Sequence, residues 1–245
     1  MKTHKYQRRF YRDWAKIKDL CSTHILMQET DLQIFADRPL DKDFLKEKVR
    51  LYRRQIEDYI SKDRRFLTAL KPIEVELSAP LIVRDMAKSA KEASVGPMAA
   101  VAGAIAEFLG KDLLKERYKD IIIENGGDIF LVGRRTCNIR IYAGNAKLFK
   151  GLSLRIKPTD TPLGICTSSG TVGHSLSFGL ADAVVILSKS ASLADAVATA
   201  TANRVKTKQD LQKAVDFVKS IKGISGIIII LKNNLISWGK VEFTL

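Results

Sequence analysis

The sequence predicts an α+β fold: one domain over residues 1–245 in which a mixed or antiparallel sheet is covered by helices. Helical periodicity marks 41–63 and 79–110. β-Branched runs of strand length dominate from 120 onward. No Pro-, Gly- or Ser-rich linker separates the two halves. A chain of 245 residues, 46% of them hydrophobic, is long enough to bury a sizeable core.

The elements follow in order. MKTHKYQRRFYRDWAKIK carries seven Lys or Arg against one Asp, so residues 1–20 read as a basic N-terminal arm or edge strand. HILMQETDLQIFA (24–36) reads as two short strands about a turn. Residues 41–63 form a long amphipathic helix, with Leu45, Val49, Tyr52, Ile56 and Ile60 on one face and Asp41 as N-cap. A short helix then leads to Pro72 and a short strand. Residues 79–93 are helical. VGPMAAVAGAIAEFLG (95–110) is a second helix, opened by Pro97 and closed by Gly110. Its small residues invite another backbone to pack close. Strands follow at 120–125, 128–133, 138–144, 152–158, 163–168 and 182–188. Helices at 192–205 and 208–221 precede a final meander at 226–232, 235–239 and 241–245, with Asn233 and Asn234 in a hairpin turn.

Charge and cysteine usage narrow the function. The net charge of +14 favours anionic partners. The N-terminal aromatics Tyr6, Phe10, Tyr11 and Trp14 among basic residues resemble a single-strand grip, but no nucleic-acid-binding motif accompanies them, so nucleic acid is not the expected partner. The start is too charged for a signal peptide, and GIIIIL (226–231) is too short to span a bilayer. A cytoplasmic protein without a membrane partner is expected. Three cysteines without CxxC spacing argue against a disulfide framework or a cysteine zinc site.

Three segments could carry chemistry. ENGGD (124–128) lies between two apolar runs; Gly126 and Gly127 permit a tight turn flanked by Asn125 and Asp128, which also describes an ordinary hairpin. SLADAVATA (192–200) places Asp195 and Thr199 one helical turn apart, a pairing suited to a hard cation such as Mg2+; it also reads as a helix start with Ser192 as N-cap. CTSSGTVGH (166–174) ends a strand at Cys166. There the amides and hydroxyls of Thr167, Ser168, Ser169, Gly170 and Thr171 can hold an anion, and His174 can favour a thiolate. A buried structural cysteine would look the same in sequence. Cys137, beside Arg134 and Arg135, is a second candidate thiol.

ETDL (29–32), VGPMAAVAGAIAE (95–107), ENGGDI (124–129), CTSSGTVGHSLSFG (166–179) and LADAVATA (193–200) occur in one order over nearly the whole chain. In this the chain resembles a cytoplasmic ApbE-like family of archaea and anaerobic bacteria, within the superfamily of FAD:protein FMN transferases. The resemblance implies that Asn125, Gly126, Gly127 and Asp128 border a nucleotide, that Asp195 and Thr199 ligate magnesium, and that FAD or FMN is the organic cofactor. The transferases' HIxDPxTG segment is altered here, because SLSFG follows His174.

The resemblance also implies a link to sulfur handling. The leading expectation is a sulfur relay, with Cys166 carrying a persulfide and His174 tuning it, for homocysteine or cysteine synthesis in an anaerobe. Its partners would be other sulfur-pathway proteins, a small anionic ligand and a second copy of the chain. The alternative is a Mg-dependent FAD:protein FMN transferase, or a non-catalytic flavin- or nucleotide-binding module.

Overall fold

The computed structural model describes residues 20–143, 146–149, 151–170 and 179–244. Residues 1–19 of the basic arm, Thr171 and His174 lie outside the described residues. β1 (Cys21–Met27) and β2 (Thr30–Ala36) form the first hairpin. Helix α1 (Lys42–Lys62) starts at Asp41, whose carboxylate accepts from the amides of Asp43 and Phe44. It buries Leu45, Val49, Tyr52 and Ile56 as the periodicity predicts, with Tyr59 as the fifth core residue and Ile60 half-buried.

The short α2 (Arg65–Thr68) follows. No strand forms after Pro72: residues 72–76 have no ladder partner, and Ile73 and Val75 pack on the core. Then come α3 (Leu81–Ala93), a 3-10 turn (Pro97–Ala100) and α4 (Val101–Lys115). Gly110 does not end α4. It sits inside the helix because a Cβ there would lie 2.2 Å from the Phe130 ring.

The strands are β3 (Ile121–Asn125), β4 (Asp128–Val132), β5 (Cys137–Arg140), β6 (Ser153–Ile156), β7 (Leu163–Ser168), β8 (Ala183–Ser188), β9 (Ile224–Leu231), β10 (Asn234–Gly239) and β11 (Phe243–Thr244). Helices α5 (Ala191–Ala202) and α6 (Asp210–Lys219) lie between β8 and β9. Among the described residues there are two sheets. The larger runs β1-β2-β3-β4-β7-β8-β9-β10, with every neighbour antiparallel; the smaller runs β11-β6-β5. The last hairpin turns at Lys232 and Asn233, and Asn234 already pairs with Leu231. Lys232 takes the left-handed conformation at φ 55°.

The strands are apolar on both sides because each side faces a different core. On one face Ile34, Ile123, Cys166, Ile186 and Ile229 meet the helices. On the other Phe35, Ile122, Ile165, Leu187 and Ile228 meet Leu154 and Ile156 of the small sheet. Each such side chain contributes about 1.5–3 kcal/mol on burial. This alternation decides the site: along β7, Gly164 and Cys166 face α5, while Leu163 and Ile165 face the small sheet.

Candidate functional site

The ENGGD segment is the two-residue turn between β3 and β4. Gly126 and Gly127 sit at φ 71° and 105°, a backbone that side chains with a Cβ rarely adopt, and Asn125 pairs with Asp128 across the turn. Both flanking side chains point into the protein. The Asn125 Nδ2 donates to the Ala102 carbonyl at 3.1 Å, tying the turn to the start of α4. The Asp128 Oδ1 accepts from the Thr167 amide at 3.1 Å, tying it to the end of β7. Glu124 closes the turn from below, accepting from the Gly127 amide at 2.7 Å.

Helix α5 brings Asp195 to the same place. Its N-cap is Ser190, whose hydroxyl accepts from the Leu193 amide, and not Ser192 as the sequence suggests. Asp195 therefore lies on the buried side of the second turn. Its Oδ2 accepts from the Gly103 amide at 3.0 Å. Burial and the facing Asp128 charge push its carboxyl well above the ordinary carboxylate range, against the pull of the Gly103 and Ala102 amides. Asp128 and Asp195 are 7% and 9% exposed. Two carboxylates so placed call for a proton or a cation between them. Thr199 follows one turn later on α5 and is half-buried.

Small residues make this approach of elements feasible. A Cβ on Gly103 would lie 2.3 Å from the Ala191 carbonyl oxygen, and one on Gly164 would lie 2.4 Å from the Ala191 Cα. The start of α5 is thus pinched between α4 and β7. Its first amides, which have no partner within the helix, are satisfied by Glu107 of α4, which is 3% exposed. The Glu107 Oε2 accepts from the amides of Ala191 at 2.6 Å and Ser192 at 3.2 Å and from the Ser190 hydroxyl at 3.1 Å, while Oε1 pairs with Lys111 at 2.6 Å. Sequence reasoning missed both Gly103 and Glu107. The lone acid in AVAGAIAE was the available signal.

The cysteine expectation is corrected. Cys166 is 0% exposed, and its thiol donates to the Ala191 carbonyl at 3.3 Å. Burial, then the neighbouring Asp128 and Asp195 charges, push it well above the normal thiol range. It is a core residue under α5, the opposite of an activated thiolate. Cys137 fares no better: burial lifts it to about 11, and Arg134 is engaged by Asp120 at 2.6 Å. The exposed cysteine is Cys21, on β1.

Of the anion-loop residues, Thr167, Ser169 and Gly170 are half-buried at the end of β7, and Ser168 is 6% exposed with no hydrogen-bond partner for its hydroxyl among the described residues. Gly170 and Gly179 stand back to back, since a Cβ on Gly170 would lie 2.0 Å from the Gly179 oxygen.

The donor set suits magnesium, which prefers oxygen. Asp195 would be its charged ligand, with Thr199 beside it on the helix. Among the described residues no group of three or more His, Cys, Asp and Glu side chains is placed to hold a metal ion, so a site here would rest on few charges. No single described helix is long and apolar enough to cross a membrane.

Comparison with known proteins decides the family. The family described as AbpE bacteria matches residues 12–237. The chain belongs to that family. It is 42% identical over 219 residues to a UPF0280 protein of Methanosarcina acetivorans, covering 89% of this chain and 86% of that one. It is 43% identical over 225 residues to a UPF0280 protein of Methanocaldococcus jannaschii, covering 89% and 90%. Among solved structures, the flavinyl transferase ApbE of Pseudomonas stutzeri superposes with a TM-score of 0.59 at 12% identity, over 90% of this chain and 94% of that one. The flavin transferase ApbE of Vibrio cholerae gives 0.57 at 12%, over 90% and 97%. At such identity the AbpE chain shares their fold, and its chemistry must be argued from its own residues.

Proposed function

We propose that this AbpE-family chain is a magnesium-dependent flavin-nucleotide protein acting as an FAD:protein FMN transferase. The observation that carries the reading is the meeting of Asp128, from the glycine turn, with Asp195, from α5, in one buried spot on the fold shared with the solved flavin transferases. Asp195 and Thr199 would hold the ion. A bound Mg2+ supplies Lewis-acid stabilisation of pyrophosphate oxygens. The bare backbone at Gly126 and Gly127 would border the nucleotide, and Asp128, anchored on the Thr167 amide, would orient that turn. Glu107 and the Gly103 amide fix the helix and carboxylate in place. The acceptor would be a hydroxyl of a partner protein. Sulfur relay lacks support: its thiol is sealed under α5.

The test is calorimetric titration of FAD with and without Mg2+, followed by measurement of AMP release. FAD should bind only with Mg2+, and Asp195→Asn should weaken it by about tenfold or more. Binding without AMP release in the presence of acceptor proteins would select the non-catalytic flavin module. No FAD binding at all would overturn the reading.

A further inference from the structure

A groove away from the carboxylate pair encloses about 810 Å³ between α1, α3 and α4. That is the size of a small-molecule site. Each helix turns one face to it. Leu81, Arg84 and Lys88 come from α3 at i, i+3 and i+7, Phe108 comes from α4, and Tyr52 from α1. Tyr52 and Phe108 meet edge to face, with ring centroids 5.5 Å apart. Faces that would normally seal a three-helix contact are here partly charged, and the contact stays open.

The charges are not equally committed. Lys111 is held by Glu107 at 2.6 Å and Lys115 by Asp112 at 2.9 Å. Tyr52 also donates to Asp112, at 2.5 Å. Arg84 and Lys88 form no ion pair among the described residues, and the Arg84 Nε is buried without a hydrogen-bond partner. A buried unpaired donor costs about 1–3 kcal/mol unless something supplies an acceptor. Beside these cations Leu81 is 66% exposed and lends the groove an apolar wall. Asp85, between them in sequence, also lines the groove, and burial pushes its carboxyl above the usual carboxylate range.

We infer that this groove is a binding site for a small organic anion, its phosphate or carboxylate head on Arg84 and Lys88 and its apolar body against Leu81 and Phe108. It uses none of the residues assigned to the flavin site, so it stands or falls separately.

The experiment titrates the full chain with phenyl phosphate, 4-phenylbutyrate, inorganic phosphate and 4-phenylbutanol by calorimetry. The two organic anions should bind saturably, and the stronger of them identifies the head group. Inorganic phosphate and the alcohol should each bind at least about tenfold more weakly. Arg84→Gln with Lys88→Gln should cost about tenfold or more for the anions, and Leu81→Ser should weaken phenyl phosphate but not inorganic phosphate. Asp195→Asn should leave all four unchanged. The melting temperature checks the fold; should the double variant unfold, the exposed Lys88→Gln decides alone. Anion binding within twofold of wild type in the cation variants, or equal binding of inorganic phosphate or of the alcohol, would overturn the proposal.

Discussion

The Gly103 backbone amide donates to the Asp195 carboxylate at 3.0 Å across the α4–α5 contact. That bond exists because α4 carries no side chain at Gly103, where Ala191 and Asp195 of α5 press against its backbone, and it holds a buried acid near its neighbour Asp128. A Gly103→Ala substitution tests the arrangement. Alanine normally favours a helix by about 1 kcal/mol over glycine. Here its Cβ would lie 2.3 Å from the Ala191 oxygen and 2.9 Å from the Asp195 Cβ, neither a mobile chain end. The helices must separate, and stability should fall by about 1–3 kcal/mol in urea unfolding. A gain in stability would mean that α4 and α5 are not in this register.

Asp195 should make metal-free stability depend on pH. Its carboxyl ionises near 3.9 in the unfolded chain and higher in the folded one. The folded state therefore holds the proton more tightly. The resulting stability is complete below the unfolded value and is lost as pH rises through the folded value. Asp195→Asn mimics the protonated form. In chelator, its melting temperature should match wild type near pH 4 and exceed it by a few degrees near pH 7. Added Mg2+ should raise wild type and leave the variant unmoved. A gap that stays constant with pH would show that Asp195 is not strained by charge.

Glu107→Ala leaves the amides of Ala191 and Ser192 without their acceptor at the pinched end of α5. Stability should drop by about 2–3 kcal/mol. Glu107→Gln keeps one acceptor oxygen and should cost about half as much. Equal losses for both variants would point to the Lys111 ion pair, rather than the helix start, as what Glu107 provides.

Thiol labelling should rank the cysteines by exposure. With iodoacetamide near pH 7.5, Cys21 should react readily, Cys137 slowly because its thiol sits at about 11, and Cys166 only after denaturation. Peptide mass spectrometry reads all three. Cys166→Ala should cost about 1 kcal/mol through a small cavity. Rapid native labelling of Cys166 would restore the sulfur-relay reading.

The sequence alone determined the α+β class, the strand series after residue 120, the Asp41-capped helix and the glycine turn at 126–127. These are readable because side-chain period and turn sterics act over a few residues. It also singled out Asp128 and Asp195 as candidate site residues, through motifs that resemble a known superfamily. Tertiary structure alone decided that those two carboxylates come close enough to raise each other's charge cost, since 66 residues of chain lie between their positions and only the packing of α5 on β7 and α4 joins them. It also reversed the reading of Cys166. The hydroxyl- and glycine-rich residues after it suggested an open thiol, but exposure depends on what covers the strand. Gly164 and Gly103 let α5 settle onto β7 closely enough for the Ala191 carbonyl to cap the sulfur. Gly110 was misread for the same reason: it looked like a helix stop, and the Phe130 ring that requires its bare backbone arrives from a strand twenty residues later.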